Sequence, residues 1–171
     1  MGEYVFETER LIVLQFAYPV DIENFFSING DKEVMQYIRA PKSKEACDEF
    51  LQEVVAGYET DKGRGRWAVV EKATSEFAGS FAFIPVTGTE DYQLGYALLK
   101  KNWGRGFATE LMREGIRYVF ETTDLKKIFA ITEAANTASQ KVLLKNGFLL
   151  FSKYKEGGKE VCKFKLSRPA S

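Results

Sequence analysis

Histidine is absent from this chain of 171 residues. A Ser-His-Asp triad, a Cys-His pair and a zinc site with a histidine ligand are therefore excluded within a single chain. Cysteine is almost as scarce, and Cys47 and Cys162 lie too far apart in sequence to form a CxxC pair or a disulfide framework. We interpret both thiols as space-filling side chains, which suits a reducing cytoplasm.

The chain also lacks an excess of charge and any long apolar run. Lysine plus arginine number 24, as do aspartate plus glutamate. A general nucleic-acid or membrane-surface binder would need a basic excess, so we expect neither partner. No apolar run is long enough to span a bilayer, and the acidic opening MGEYVFETERL does not have the pattern of a signal peptide. These features predict a cytoplasmic protein.

The residues that are present favour one globular domain over residues 1–171, because 45% of them are apolar and 14% are aromatic. Their periodicity predicts the order β-α-α-β-β-β-α-β-α-β-β, a mixed α/β domain around one central sheet. Three consecutive strands indicate an antiparallel meander, and a strand at Lys127–Glu133, a short helical piece near 34–38 and a helix from Asn136 are also predicted. The meander strands are Arg66–Lys72, Phe77–Val86 and Tyr92–Leu99.

A glycine pair marks the junction between the last meander strand and the next helix, in the stretch NWGRGFATEL at 102–111. Backbone N–H groups at a helix N-terminus have no partner within the helix and lie at the positive end of its dipole. Bare glycines let a phosphate or pyrophosphate approach those groups. The N–H groups would come from Gly104, Arg105, Gly106, Phe107 and Ala108, with Arg105 adding a cation.

Two familiar phosphate loops do not fit this junction. No Gly-Lys-Ser/Thr tripeptide of a Walker loop occurs in the chain. Thr109 stands where the dinucleotide fingerprint needs a glycine or alanine, and an antiparallel meander precedes the loop instead of a parallel βαβ unit. The residues alone leave two interpretations: an anion-binding loop, or a strand-to-helix corner without a ligand.

The longer pattern LGYALLKKNWGRGFATELMREGIRYVF, followed by NTASQKVLLKNGF, resembles the GNAT superfamily of acyl-CoA N-acyltransferases along nearly the whole chain. The opening ETERLIVLQF resembles the subgroup that includes the ribosomal-protein N-terminal (alanine/serine) acetyltransferases. The resemblance implies the GNAT fold: a central mixed, mostly antiparallel sheet with splayed strands, flanked by helices. It also implies acetyl-CoA as the cosubstrate and no metal.

The resemblance assigns roles to particular residues. The pyrophosphate would be held by the loop Gly104–Thr109, that is, Gly104, Arg105, Gly106, Phe107, Ala108 and Thr109. The pantetheine amides would pair with the backbone of the splayed strand at Tyr96, Ala97, Leu98 and Leu99. Asn136 and Ser139 would lie near the pantetheine arm and the sulfur. Many relatives place a tyrosine acid at the position of Leu143, so Ser139 becomes the candidate that protonates the leaving thiolate.

The implied reaction is direct attack of an amine on the thioester of acetyl-CoA in a ternary complex. The amine must be neutral, so a base has to accept its proton directly or through water. Without histidine, Glu133 and Glu90 are the candidates, although most carboxylates in such a protein are simply solvated. The oxyanion needs a donor, most simply a backbone N–H of the splayed strand near Leu98.

The predicted function is therefore transfer of an acetyl group to a primary amine, with a protein or peptide α-amine as the favoured acceptor. A polyamine or an aminoglycoside, and a non-catalytic acyl-CoA-binding domain, stay open as alternatives. A dinucleotide-linked enzyme is disfavoured by the meander and by Thr109. The expected partners are acetyl-CoA and the amine acceptor, with the protein acting as a monomer or a homodimer.

Overall fold

The computed structural model describes residues 2–170, so Met1 and Ser171, the two ends of the predicted domain, lie outside the described residues. Within them, four helices are arranged around one sheet of eight strands. The strands are β1 Tyr4–Glu7, β2 Leu11–Gln15, β3 Gly65–Glu71, β4 Phe77–Pro85, β5 Tyr92–Leu98, β6 Lys127–Glu133, β7 Leu149–Glu156 and β8 Lys159–Ser167. The helices are α1 Ile22–Asn29, α2 Lys44–Thr60, α3 Phe107–Thr122 and α4 Thr137–Lys145.

The strand order in the sheet is β1-β2-β3-β4-β5-β6-β8-β7. All neighbours pair antiparallel except β5 and β6, which run parallel. This arrangement confirms the predicted mixed, mostly antiparallel sheet with flanking helices. Among residues 2–170, no helix combines the length and apolar character that a membrane span requires.

The central strands β3 and β4 are buried on both faces, because their apolar side chains alternate between two helical layers, whereas the edge strand β7 is exposed. On one face Trp67, Phe81 and Phe83 pack with Leu111 of α3, and Leu143 of α4 belongs to the same core. On the other face α1 and α2 cover smaller sheet residues, and the main members of that second core are Phe25, Ile28, Cys47, Leu51, Ala68 and Ala97. Cys47 and Cys162 are buried free thiols in separate cores.

Local sequence signals position several elements as predicted. Strand β6 has the predicted bounds. Helix α2 begins after Ser43, whose hydroxyl accepts a hydrogen bond from the Ala46 N–H at 3.1 Å. The short helical piece near 34–38 is wrong: the segment forms turns, and the Asp31 carboxylate accepts the N–H groups of Glu33 and Val34 at 2.8 and 2.9 Å. These side-chain bonds cap a single turn, and among the N–H groups of residues 32–38 only that of Met35 donates to the carbonyl four residues before it, so no helix continues.

Candidate functional site

The glycine loop between β5 and α3 holds a backbone that other residues adopt only with strain. The φ angles of Gly104 and Gly106 are 72° and 80°, both in the left-handed region. Gly106 is the N-cap of α3, and no side chain caps it. In residues 2–170, the N–H groups from Gly104 to Thr109 have no hydrogen-bond acceptor. The loop therefore presents free donors at a helix N-terminus, which is the condition for binding an anion.

The side chain of Arg105 has its own partners in the protein. Its guanidinium makes two hydrogen bonds to the Glu71 carboxylate, at 2.5 and 3.3 Å, and a third to the Asn102 side-chain oxygen at 3.1 Å. It also lies over the Phe107 ring, 4.3 Å from the ring centroid. The hydrogen bond from Arg105 is the main cause that lowers the pKa of Glu71. Arg105 thus anchors the loop through its side chain, while its backbone N–H has no acceptor in the part of the chain that the structure describes.

A buried carboxylate in the first turn of α3 links this turn to the segment between β1 and β2. Glu110 accepts hydrogen bonds from the Thr8 hydroxyl at 2.7 Å and from the backbone N–H and side chain of Arg10, each at 2.8 Å. Burial alone would raise the pKa of Glu110, but these hydrogen bonds outweigh it and lower the pKa. The Arg10 guanidinium also lies 4.6 Å from the Phe107 ring centroid. The opening ETERL segment therefore supports the loop.

A gap opens where β5 and β6 stop pairing. Within the described part of the chain, one residue pair, Gln93 with Phe129, joins these parallel strands. Both strands continue for several residues beyond it, to Leu98 and Glu133. The strands therefore diverge toward their carboxyl ends, and the backbone on each side of the gap is left without a strand partner.

Only part of the predicted backbone at 96–99 faces this gap. The Leu99 N–H donates to the Ala78 carbonyl of β4 at 2.9 Å. Because successive residues direct their backbone groups to opposite sides of a strand, Ala97 also turns toward β4, whereas Tyr96 and Leu98 turn toward β6. The Leu98 carbonyl accepts the Trp103 indole N–H at 2.9 Å. The Leu98 N–H and the Tyr96 backbone groups are therefore the ones directed into the gap.

The two residues of the second motif lie at the start of α4, beside the gap. Asn136 is the N-cap, and its side-chain oxygen accepts the Ser139 N–H at 3.2 Å. The Ser139 side chain lies near the Tyr96 phenol of β5. Burial raises the pKa of the Tyr96 phenol, and the nearby Ser139 side chain opposes the rise. Two hydroxyls that stay protonated at neutral pH therefore meet at the gap.

The two candidate bases lie in different places. Glu133 ends β6 at the gap, where its carboxylate accepts a hydrogen bond from the Lys159 ammonium at 3.0 Å. Glu90 lies exposed in the turn between β4 and β5 and does not line the cleft around the gap. The structure therefore brings Glu133, Asn136, Ser139 and Tyr96 together and leaves Glu90 outside.

The gap opens into a cleft of about 630 Å³ that reaches the α1 side of the sheet. Among the residues that line it are Tyr37, Arg39, Arg66, Gln93, Tyr154 and Lys159. Sequence reasoning did not single out Arg39 or Arg66, and it assigned Tyr96 by its backbone. The signal for Arg66 was present, because an arginine inside the strand pattern RWAVVEK is unusual for a buried strand.

The family profile described as "Acetyltransferase (GNAT) domain" matches residues 10–149. A relative from Bacillus subtilis (strain 168), the "Uncharacterized N-acetyltransferase YoaA", is 30% identical over 147 residues, which cover 84% of this chain and 82% of that protein.

Solved structures share the architecture at lower identity. The ribosomal-protein-S5-alanine acetyltransferase from Vibrio fischeri superposes with a TM-score of 0.78 at 18% identity, over 95% of each chain. The spermidine N-acetyltransferase from Vibrio cholerae, solved in complex with CoA and spermine, gives a TM-score of 0.76 at 18% identity and covers 92% of this chain and 95% of that one. At such identities the likeness shows the fold alone.

Proposed function

Since the chain belongs to the acetyltransferase (GNAT) family and is an acetyl-CoA-dependent N-acetyltransferase, we propose that its acceptor is the α-amine of a protein or peptide. The observation that carries this proposal is the weak base at the gap. Histidine is absent, and Glu133 is already engaged by Lys159. An α-amine has a pKa of about 8, against about 10 for an alkyl amine, so far more of it is neutral at physiological pH. An α-amine therefore needs the least help from the protein.

The loop and the gap would bind different parts of acetyl-CoA. The free N–H groups of the loop Gly104–Thr109 suit the diphosphate. The backbone of Tyr96 and Leu98 in the gap suits the pantetheine amides, and Asn136 lies beside that path. Acetyl-CoA supplies the thioester that the amine attacks.

The residues at the gap suit the proton transfers of the reaction. The amine nitrogen forms a bond to the thioester carbonyl carbon, and the bond from that carbon to sulfur breaks. The amine loses its proton to water or to Glu133, which lines the same cleft. The Leu98 N–H, which is directed into the gap, is the candidate donor for the oxyanion. Ser139, which lies near Tyr96, passes a proton to the departing thiolate and regains one from solvent in the cleft.

A panel of acceptors tests the proposal. Purified protein is mixed with acetyl-CoA and with N-terminal peptides, with the same peptides blocked at the α-amine, with spermidine, or with an aminoglycoside. Free thiol release and the acetylated position are measured. Acetylation of the α-amine, with no reaction of the blocked peptides, supports the proposal. Preferential acetylation of spermidine or the aminoglycoside overturns it, and CoA binding without any thiol release indicates a non-catalytic domain.

A further inference from the structure

Three cations surround one aromatic ring beside the cleft. The charged ends of Arg39, Lys42 and Arg66 lie 5.3, 5.2 and 5.4 Å from the centroid of the Phe50 ring. Phe50 lies on α2, Arg66 on β3, and the other two on the segment between α1 and α2. Each distance is within the range of a cation–π contact. The ring holds the three like charges close together.

The two arginines of this group lack the full set of partners that the other arginines have. In residues 2–170, Arg168 donates to three backbone carbonyls. The five arginines that pair with carboxylates are Arg10, Arg64, Arg105, Arg113 and Arg117. Neither Arg39 nor Arg66 has a carboxylate within ion-pair distance in the same part of the chain. Arg39 has one donor bound, to the Asn29 side-chain oxygen at 2.9 Å, and its buried Nε has no partner.

Burial makes this arrangement unfavourable without an anion. Burial and the neighbouring charge of Arg39 lower the pKa of Arg66 to about 10. Two partly buried guanidinium groups with unused N–H donors repel each other, and a carboxylate between them would remove both penalties. Arg39 is also held in place, because Asn29 is itself fixed by a hydrogen bond from its amide to the Phe25 carbonyl at 3.0 Å. The pair is therefore prearranged for an anionic group.

Small residues connect this pair to the gap. Arg66 lies opposite Ala82 on β4, and Ala82 lies opposite Gly95 on β5. These three residues share the sheet face that α1 and α2 cover, and a Cβ added at Gly95 would have no neighbour within 4 Å. Two strand spacings separate β3 from β5, about 10 Å. A substrate in the cleft can therefore reach from Arg66 across Ala82 and Gly95 to the reacting centre.

We propose that Arg39 and Arg66 bind an acidic group of the acceptor, which is an amine whose carboxylate reaches them across the roughly 10 Å of sheet between β5 and β3. A peptide advances about 3.3 Å per residue, so aspartate or glutamate at the second or third position of an acidic N-terminus matches this span. A free amino acid is too short, and a polyamine carries the wrong charge. The inference rests on the proposed α-amine acceptor and names the chemistry of that acceptor.

Matched peptides test it. Tetrapeptide amides that have aspartate or glutamate at positions 2 and 3 are compared with their asparagine and glutamine counterparts. The wild-type protein is expected to acetylate the acidic peptides with a kcat/KM at least ten-fold higher. Arg66→Gln is expected to remove most of this preference through KM, whereas Arg66→Lys retains part of it. Arg117→Gln, an exposed arginine on α3, serves as the matched control. A thermal unfolding curve for each variant shows whether the protein is folded.

The outcomes separate this inference from the proposed function. Equal kcat/KM values for the acidic peptides and for their asparagine and glutamine counterparts, with both sets acetylated at the α-amine, overturn the inference and leave the proposed function standing. Peptide binding is also titrated by calorimetry against the protein saturated with CoA, which needs no turnover. Tighter binding of the acidic peptides that Arg66→Gln abolishes supports the inference, even if no α-amine is acetylated. Stronger binding of spermidine, or of free glutamate, than of the acidic peptides overturns it.

Discussion

The carboxylate of Glu110 accepts two hydrogen bonds from Arg10, one from the backbone N–H and one from the guanidinium, each at 2.8 Å. This contact ties the opening strands to the first turn of the helix behind the glycine loop. Only 6% of the Glu110 side chain is exposed. The ETERL motif and the ATEL motif, far apart in sequence, thus form one supporting unit.

Glu110→Gln is expected to lower the free energy of unfolding at pH 7 by about 1–3 kcal/mol, since it weakens charge-assisted hydrogen bonds. The pKa of Glu110 is lower in the folded state than its ordinary value of 4.5. Its contribution is therefore complete above pH 4.5 and is lost as the pH falls through the folded pKa. Urea unfolding at pH 7 and pH 3 measures the difference. Glu121→Gln, at an exposed site on the same helix, is the control, and a difference that does not shrink at pH 3 contradicts the prediction.

Gly106→Val is expected to weaken CoA binding at least ten-fold, because the side chain covers the free N–H groups of the loop. The substitution also strains a backbone with φ of 80°, at about 1–2 kcal/mol. Gly88→Val is the matched control, since Gly88 has a similar φ of 77° in a turn with open space around it. Isothermal titration with CoA measures both. Equal affinity of the two variants would show that the loop does not bind the diphosphate.

Ser139→Ala and Tyr96→Phe are expected to lower kcat by a similar factor, about 10²-fold, while CoA affinity changes less than two-fold. The two side chains lie next to each other and would act in the same proton transfer, so the double variant should be little worse than either single one. Steady-state kinetics with a saturating acceptor measures kcat for the wild type, both single variants and the double variant. Unchanged turnover in Ser139→Ala removes it from the mechanism, and additive losses show that the hydroxyls act separately.

Glu133→Gln is expected to reduce kcat/KM more for a lysine-like alkyl amine than for an α-amine, because the more basic amine depends more on a proton acceptor. The comparison is made with one peptide that has a free α-amine and one that is blocked there but has a lysine side chain. Glu90→Gln is measured beside it, and its exposed position predicts an effect below two-fold. A larger loss in Glu90→Gln would reverse the assignment of the base.

Two helical glycines give opposite stability predictions. A Cβ added at Gly115 would lie 2.3 Å from the Phe81 ring, so Gly115→Ala forces the core apart at a cost of about 1–3 kcal/mol. A Cβ at Gly57 meets nothing within 4 Å, so Gly57→Ala should stabilise α2 by about 0.5–1 kcal/mol. Denaturant unfolding of both variants tests the pair. If both substitutions changed the free energy of unfolding in the same direction, the result would contradict the packing of α3 on the sheet.

Sequence patterns predicted those parts of the structure that local chemistry determines. The bounds of β6 follow from its apolar run, and Asn136 caps α4 because its side chain reaches an N–H only three residues ahead. Strand β1 escaped prediction because it has four residues and its pairing with β2 is irregular. The turns at 32–38 escaped it because the backbone there does not continue the hydrogen bonds to carbonyls four residues back that a helix needs.

The site was predictable only in its backbone portion. The two loop glycines could be recognised in the sequence, because a pair of glycines at the start of a helix is an unusual pattern that indicates an exposed backbone. The contact of Tyr96 with Ser139 and the grouping of Arg39 with Arg66 join residues from separate elements, and no spacing in the sequence encodes them. Those relationships depend on strand register and on how α4 and the α1–α2 segment lie against the sheet.

The lone bridge between Gln93 and Phe129 has a mechanical consequence. Strands β1–β5 form one antiparallel block and strands β6–β8 another, and along the sheet they are joined at that point alone in the described chain. In the proposed binding mode, the pantetheine arm of the cosubstrate fills this seam and pairs with the backbone of Tyr96 and Leu98 in β5. Saturation with CoA should therefore slow amide hydrogen exchange in the carboxyl-terminal halves of β5 and β6 more than in β2 or β3.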